Sequence, residues 1–263
     1  FLIVTGTAYG THDAAWLRKQ ARRRMDRVRV ADVTGLYCTY ALWGPAARDI
    51  LGRLTSADLS SDAFPFMTSQ ELSVGDVPVR ALQVTFVGEH GWELYAPSEF
   101  GARLWSSLWQ AGEGCGLVAG GYRAIESMRL EKGYRVWGTD ITPETSPYEA
   151  KLGFCVKLDK AGGFEGRDAL LAAKDRGLTR KLCAIVLDDP ARVALGSEPV
   201  LVDGRVSGRV TSAGFGYTVA ASIAYAYLDI GDTEPGTPVA LDLFGDLVPG
   251  RVVAEPVLGK AAP

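Results

Sequence analysis

The sequence has few of the residues from which metal centres and disulfide frameworks are built. Its 263 residues contain only two histidines and four cysteines, and the cysteines lie far apart with no C-x-x-C pair. Zinc sites take four cysteine or histidine ligands at short spacings, and disulfide scaffolds need dense cysteines. We therefore expect no metal centre, and reduced thiols in a cytoplasmic protein.

Neither sign of charge dominates, and no long apolar run is present. With 28 basic against 31 acidic residues the net charge is −3, which does not favour nucleic acid or an anionic membrane as a partner. The dense basic run RKQARRRMDRVR at positions 18–29 is typical of a solvated helix face. No stretch approaches the length needed to cross a bilayer, and no signal peptide opens the chain.

Several catalytic signatures are also missing. The sequence contains no Walker loop, no H-E-x-x-H and no G-x-S-x-G. The glycine-rich GEGCG at positions 112–116 lacks the third glycine of a dinucleotide fingerprint, so we interpret it as a turn. A Ser-His-Asp triad is disfavoured because both histidines stand beside turn residues.

Strand and helix patterns alternate over the first two thirds of the chain and give way to short strands afterwards. The alternation predicts an α+β fold, a layered sheet with helices, for residues 1–177. Short β runs and turns such as Asp203-Gly204 then predict a small antiparallel β-barrel over residues 178–263. The opening FLIVTG is expected to form a buried strand from Phe1 to Thr5, with its neighbouring strands upstream of this sequence.

A single carboxylate stands out in the stretch FVGEHGWELYA at positions 86–96. Its pattern predicts a strand, a glycine-centred corner and a second strand, in which Glu93 and Tyr95 face one side and Trp92 and Leu94 the other. A buried carboxylate needs a partner. An amidine-like edge with two N–H donors, as in a pterin or guanine, would supply one. The alternative is that Glu93 faces solvent or pairs with an arginine.

A second group of aromatic residues surrounds the end of a predicted helix. The helix runs from about Gly121 to Lys132 and is stopped by Gly133, and Tyr134 follows it. A further strand, predicted from Ala150 to Leu158, carries Phe154. Aromatic side chains in such places line pockets or pack in a core, and the spacing leaves both interpretations open.

Blocks that cover essentially the whole chain resemble the glycine-cleavage T-protein (aminomethyltransferase) family. Within that family, FLIVTGTAYGTHDAAWLRK and RLEKGYRVWG are most similar to the folate-binding half of dimethylglycine and sarcosine dehydrogenases or oxidases. The matching blocks are FVGEHGWELYAP, GYRAIESMRLEKGYRVWGTDITPETSPYEAKLGF, GGFEGRDAL and, in the predicted barrel, GRVTSAGFGYTVAASIAYAYL.

This resemblance implies a T-protein-like folate-binding fold and a tetrahydrofolate site. Glu93 falls on the acidic residue with which the family holds the pterin ring. Phe86 falls where the family often has a tyrosine beside the folate, and Phe154 falls on an aromatic position near the cofactor. Tyr134 and Trp92 complete the folate contacts that the resemblance implies.

The sequence departs from the family at two places. Ile125 stands where T-proteins have an arginine thought to meet the folate tail; Arg123 or Arg135 is a candidate replacement, although Arg123 lies on a different helix face. The family's catalytic aspartate belongs to an N-x-x-G-G-I-x-x-D segment that this sequence lacks and that we expect upstream of Phe1. The sequence itself is therefore expected to hold no catalytic acid and to be inactive alone.

The resemblance also implies partners. An FAD domain, in the same or a partner chain, would oxidise an N-methyl amine, and tetrahydrofolate would capture the one-carbon unit as 5,10-methylenetetrahydrofolate. Two alternatives stay open: a non-catalytic regulatory or assembly subunit of the same fold, and a folate-dependent O- or S-demethylase.

Overall fold

The structure is a computed structural model that describes residues 1–25 and 27–259. The chain forms two compact units. The first comprises Phe1–Val84 and Gly91–Leu117, and the second comprises Thr85–His90 and the chain from Val118 onward. Among the helices of the described residues, none has both the length and the apolar character needed to span a membrane.

The first unit is built on an antiparallel sheet. Its elements are α1 (Gly10–Arg24), β1 (Tyr37–Trp43), α2 (Ala47–Gly52), β2 (Ser69–Val74), β3 (Val77–Leu82), β4 (Gly91–Pro97) and α3 (Gly101–Ala111). The strands lie in the order β1-β4-β3-β2. Strand β1, at one end of this order, pairs with β4 and matches Tyr37 with Pro97 at one end and Trp43 with Gly91 at the other.

The core of the first unit lies on one face of this sheet. Strand β4 alternates strictly, so that Trp92, Leu94 and Ala96 are fully buried while the residues between them are half-buried. Helices α2 and α3 contribute Leu51 and Leu104 to the same cluster. Burial of side chains of this size stabilises the fold by about 1.5–3 kcal/mol each, which fixes the register of β4.

The second unit contains a closed six-stranded antiparallel barrel. Its elements are α4 (Tyr122–Lys132), α5 (Arg167–Arg176), β5 (Arg180–Leu187), β6 (Pro199–Val202), β7 (Arg205–Gly216), β8 (Ala221–Asp229), β9 (Pro238–Leu243) and β10 (Asp246–Val253). The strands close in the order β10-β5-β8-β7-β6-β9. Asp203 and Gly204 both have positive φ in the predicted hairpin turn. The predicted α+β fold followed by an antiparallel barrel is confirmed.

The first strand expected in FVGEHGWELYA does not form, because β3 already ends at Leu82 and Phe86 lies in a bend. Two further predicted strands are wrong. The segment from Phe1 to Thr5 has no regular structure, and its apolar side chains are exposed. An apolar run becomes a strand only when a neighbour pairs with its backbone, and the ladders of the described residues include none for this segment. The second predicted strand, Ala150 to Leu158, is a series of turns with a 3₁₀ helix at Gly153–Cys155, preceded by Lys151 at positive φ.

The domain boundary drawn at residues 177 and 178 stays a prediction. The barrel begins close to it, at Arg180. Contacts nevertheless group residues 118–177 with the barrel, so the compact units and the predicted domains divide the chain differently.

Candidate functional site

Strand β4 delivers Glu93 to the sheet face opposite the core. Trp92 and Leu94 point into the buried cluster, and because successive side chains of a strand alternate, Glu93 and Tyr95 share the other face, half-buried. The predicted facing of these residues is therefore confirmed. An ionisable side chain on this face is available to a ligand without disrupting the core.

The surroundings of Glu93 on that face are small and apolar. Its cross-strand neighbours are Ala41 on β1 and Leu82 on β3. Neither neighbour carries a charge that would satisfy the carboxylate. Arg80 of β3 lies opposite Tyr95 and forms an ion pair with Glu71 of β2.

Tyr95 is a hydrogen-bond partner of Glu93 that sequence reasoning missed. Its hydroxyl donates to Oε2 of Glu93 at 2.6 Å. Burial raises the pKa of the Tyr95 phenol, and the hydrogen bond and the negative charge of Glu93 raise it further. The phenol thus stays protonated and remains a donor. Because a carboxylate can accept about four hydrogen bonds, Oε1 and one lone pair of Oε2 are left for a ligand's parallel N–H donors.

Gly91 fixes the point at which β4 enters the sheet. Its φ is +149°, and a Cβ there would overlap the carbonyl oxygen of Leu42 on the neighbouring strand. Only glycine allows this close approach of the two backbones. The glycine of the predicted corner therefore sets where Glu93, two residues later, emerges from the strand.

Trp92 lies in the core of the first unit. The indole is fully buried, and its ring centroid is 6.0 Å from that of Phe64. This placement gives Trp92 a packing role on the side of the sheet away from Glu93. Its predicted contact with folate stays a prediction.

The structure brings Phe86 and Tyr134 together in the second unit. Their rings meet edge to face, with centroids 5.6 Å apart. Gly88, close to Phe86, has a φ of +72°, and a Cβ there would lie 2.7 Å from Cγ of Lys132 in α4. The short segment that carries Phe86 thus rests closely on the end of α4.

The termination of α4 places Tyr134. Gly133 adopts the left-handed conformation at φ +75°, its N–H binds the carbonyl of Leu130, and the N–H of Tyr134 binds the carbonyl of Arg129. This is the Schellman pattern that glycine permits. The helix therefore ends where the sequence predicted. Burial raises the pKa of the Tyr134 phenol, which stays protonated at neutral pH.

The remaining predicted residues lie in less enclosed places. Phe154 is 74% exposed on its 3₁₀ helix. Of the two arginines considered as replacements at Ile125, Arg123 is exposed. Arg135 forms an ion pair with Glu255 at 2.5 Å, so its charge is already matched within the second unit.

Side chains of the R-L-E-K-G segment at the end of α4 bind several separate parts of the second unit. Arg129 donates to Glu126 and, at 2.7 Å, to Asp140. Glu131 accepts hydrogen bonds from the backbone N–H groups of Thr218 and Val219 at the turn between β7 and β8. Arg129 and Glu126 are three residues apart, so the helix brings their side chains together, whereas no local pattern points to Asp140.

Comparison with known proteins places this architecture in a family. Residues 1–160 match the model described as the GCVT N-terminal domain, and residues 180–258 match the glycine cleavage T-protein C-terminal barrel domain. The chain belongs to the glycine cleavage T-protein family. The resemblance stated from its sequence blocks is thereby confirmed.

Relatives of this T-protein family member differ in length. It is 35% identical over 258 residues to dimethylglycine dehydrogenase of Rattus norvegicus, covering 98% of this chain but 30% of the relative. It is 34% identical over 258 residues to an aminomethyltransferase of Symbiobacterium thermophilum, covering 97% of this chain and 68% of that protein. The chain thus spans less than a third of the dehydrogenase's length.

A solved structure shows the same fold. The glycine cleavage system aminomethyltransferase T from Bartonella henselae superposes with a TM-score of 0.80 at 26% identity, covering 95% of this chain and 66% of the other. The sheet with its helices and the closed barrel therefore belong to the aminomethyltransferase type of fold.

Proposed function

We propose that this chain is the tetrahydrofolate-binding, one-carbon-transfer module of an enzyme that resembles dimethylglycine or sarcosine dehydrogenase. The observation that carries the proposal is Glu93. It is a half-buried carboxylate on the face of β4 opposite the core, and among the described residues its recorded hydrogen bond is from the Tyr95 phenol to Oε2. The sequence relationship to rat dimethylglycine dehydrogenase supports the same function.

The donors of a pterin fit the acceptors that Glu93 offers. A pterin presents an N–H and an amino group side by side, and two parallel hydrogen bonds to one carboxylate are the strongest arrangement for such an edge. Its cross-strand neighbours, Ala41 and Leu82, carry no charge that would compete with the ligand for the carboxylate. We also propose folate contacts for Phe86, Tyr134 and Phe154, each supported by the family resemblance.

The role of Glu93 is positioning. Bound tetrahydrofolate would supply the nucleophilic nitrogen that takes up a one-carbon unit from an oxidised N-methyl amine, giving 5,10-methylenetetrahydrofolate. Glu93 would fix the ring in one orientation, and orientation alone lowers the barrier of a bimolecular step. The acid of this reaction and the FAD that oxidises the amine are proposed to lie outside this chain, in the same or a partner polypeptide. The cytoplasmic location stays a prediction.

The test is folate binding by the 263-residue chain and its Glu93→Gln variant, measured by titration calorimetry with 5-formyltetrahydrofolate. Hydrogen bonds to a charged group contribute about 1.5–3 kcal/mol, so we expect the variant to bind at least about tenfold more weakly. Glutamine keeps the size of the side chain, so packing is preserved.

Glu71→Gln is the matched control. Glu71 lies on the same sheet, is exposed, and pairs with Arg80. We expect it to leave the affinity unchanged. Equal affinity of the Glu93→Gln variant and the unmodified chain would refute the pterin role. Binding without any one-carbon transfer in the intact protein would favour the regulatory-subunit alternative, and methyl release from an aryl methyl ether would favour the demethylase.

A further inference from the structure

We propose that Tyr95 is the positioning residue of the Glu93 site: its hydroxyl holds Oε2 of the carboxylate so that the remaining acceptors face the amidine edge of the ligand. The inference rests on the proposed function and assigns to Tyr95 a role beyond it. Tyr95 acts through Glu93 and needs no contact of its own with the folate.

The hydrogen bond between the two side chains is local and short. Tyr95 follows Glu93 by two positions on β4, so both side chains leave the same face of the strand. The phenol reaches back to Oε2 at 2.6 Å. A glutamate has three rotatable side-chain bonds, and fixing one oxygen removes much of the freedom that a ligand would otherwise have to restrict on binding.

The phenol is confined to the donor role. Burial and the adjacent carboxylate raise its pKa, so it does not ionise at neutral pH. Its cross-strand neighbours are Thr39 on β1 and Arg80 on β3. Arg80 is engaged with Glu71, which leaves the carboxylate of Glu93 as the partner that the structure records for this hydroxyl.

Tyr95 and the ligand share the four acceptor positions of the Glu93 carboxylate. Tyr95 occupies one lone pair of Oε2. A ligand edge with two parallel N–H donors needs one lone pair on each oxygen, and both remain available. A ligand with a single donor gains less from this arrangement. The pair Tyr95 and Glu93 is therefore suited to select heterocycles that carry an amino group beside a ring N–H.

The test is a double-mutant cycle on folate affinity in the 263-residue chain. Tyr95→Phe keeps the ring and deletes the hydroxyl, and we expect it to weaken binding of 5-formyltetrahydrofolate by about two- to tenfold, because the ligand must then restrict the Glu93 side chain itself. In the Glu93→Gln background the same change should have little further effect, because coupled residues are not additive.

Two further arms separate positioning from packing. A reduced-folate analogue that carries hydrogen in place of the 2-amino group should lose less affinity through Tyr95→Phe than 5-formyltetrahydrofolate does, because it offers the carboxylate only one donor. Tyr40→Phe is the matched control: it deletes a phenol of the same sheet that donates to the carbonyl of Gly101 at 3.2 Å, on the face that α3 covers. It should leave folate affinity unchanged.

The outcomes distinguish the two proposals. If Glu93→Gln weakens binding and Tyr95→Phe does not, the positioning role is refuted and the proposed function stands. If Tyr95→Phe weakens binding as much in the Glu93→Gln background as in the unmodified chain, or weakens binding of the analogue as much as that of 5-formyltetrahydrofolate, the phenol acts directly or through packing and the inference fails. Unfolding of the Tyr95→Phe chain would likewise assign it a purely structural role. If neither variant changes binding, the pterin role of Glu93 is refuted, and the inference about Tyr95 is refuted with it.

Discussion

The buried pair of Arg129 and Asp140 should be the most sensitive electrostatic contact of the second unit. Both side chains are 1% exposed, and their charged atoms are 2.7 Å apart. Asp140 also accepts hydrogen bonds from the N–H of Val136 at 2.9 Å and from the hydroxyls of Thr211 and Ser212. One carboxylate thus joins the end of α4, the loop after it and strand β7.

We expect Asp140→Ala to lower the free energy of unfolding by about 4 kcal/mol, because removing one partner of a buried pair typically costs about 3–5 kcal/mol. The variant removes the only buried carboxylate partner that the described residues give Arg129, whose guanidinium keeps Glu126 and the carbonyl of Tyr134, and it also removes the acceptor of three further donors. Arg129→Met leaves Asp140 with those three donors, so its cost should be smaller, roughly 2 kcal/mol. The sharper expectation is the order of the two losses in unfolding free energy, with the larger loss for Asp140→Ala.

Urea unfolding followed by circular dichroism measures both effects. With a slope of about 2 kcal/mol per molar urea, Asp140→Ala should lower the midpoint of the transition that includes the barrel by roughly 2 M. Asp246→Ala is the matched control. It breaks an exposed pair with Arg192 at 2.9 Å in the same unit, and such pairs contribute about 0–1 kcal/mol.

A cost for Asp140→Ala no greater than that of Asp246→Ala would refute this reasoning. A larger cost for Arg129→Met than for Asp140→Ala would also contradict it. In that case the other donors around Asp140 would be satisfied without it.

Two further expectations concern the barrel. A hydrogen bond from Ser207 and the charge of Arg205 hold the pKa of Asp232 below its ordinary 3.8, so the carboxylate stabilises the fold above about pH 4 and this stabilisation is lost as pH falls through the lowered pKa. The stability difference between the unmodified chain and Asp232→Asn should therefore shrink between pH 7 and pH 2.5 in urea titrations; a constant difference would contradict it. Phe244 is 91% exposed with φ +59° in the β9–β10 turn, so Phe244→Asn should raise stability by about 0.5–1 kcal/mol, and a lower melting temperature would show that the ring packs.

The sharing of one sheet face by Glu93 and Tyr95 was predictable from the sequence. Alternation in β4 requires no knowledge of the neighbours, because successive side chains of a strand point to opposite faces. The end of α4 at Gly133 was predictable for the same reason: a glycine in the left-handed conformation satisfies the last carbonyls locally.

Side-chain hydrogen-bond partners were not predictable in this way. The hydroxyl of Tyr95 shares the face of Glu93 by alternation, but whether it reaches the carboxylate depends on side-chain rotamers. The position of Asp140 beside Arg129 depends on the path of the loop between them and on β7, 71 residues farther along the chain at Thr211. The apolar run from Phe1 to Thr5 shows the same limit, because a strand is defined by its neighbour.

The α+β fold, the barrel, the family and the candidate carboxylate could all be inferred from periodicities, glycine corners and sequence blocks. These features depend on residues that are close along the chain or on blocks in a fixed order. The packing of Trp92 in the core, the exposure of Phe154 and the hydrogen bond from Tyr95 to Glu93 became visible only in the folded chain. Burial and hydrogen bonding are properties of the assembled neighbours, and a linear pattern does not contain them.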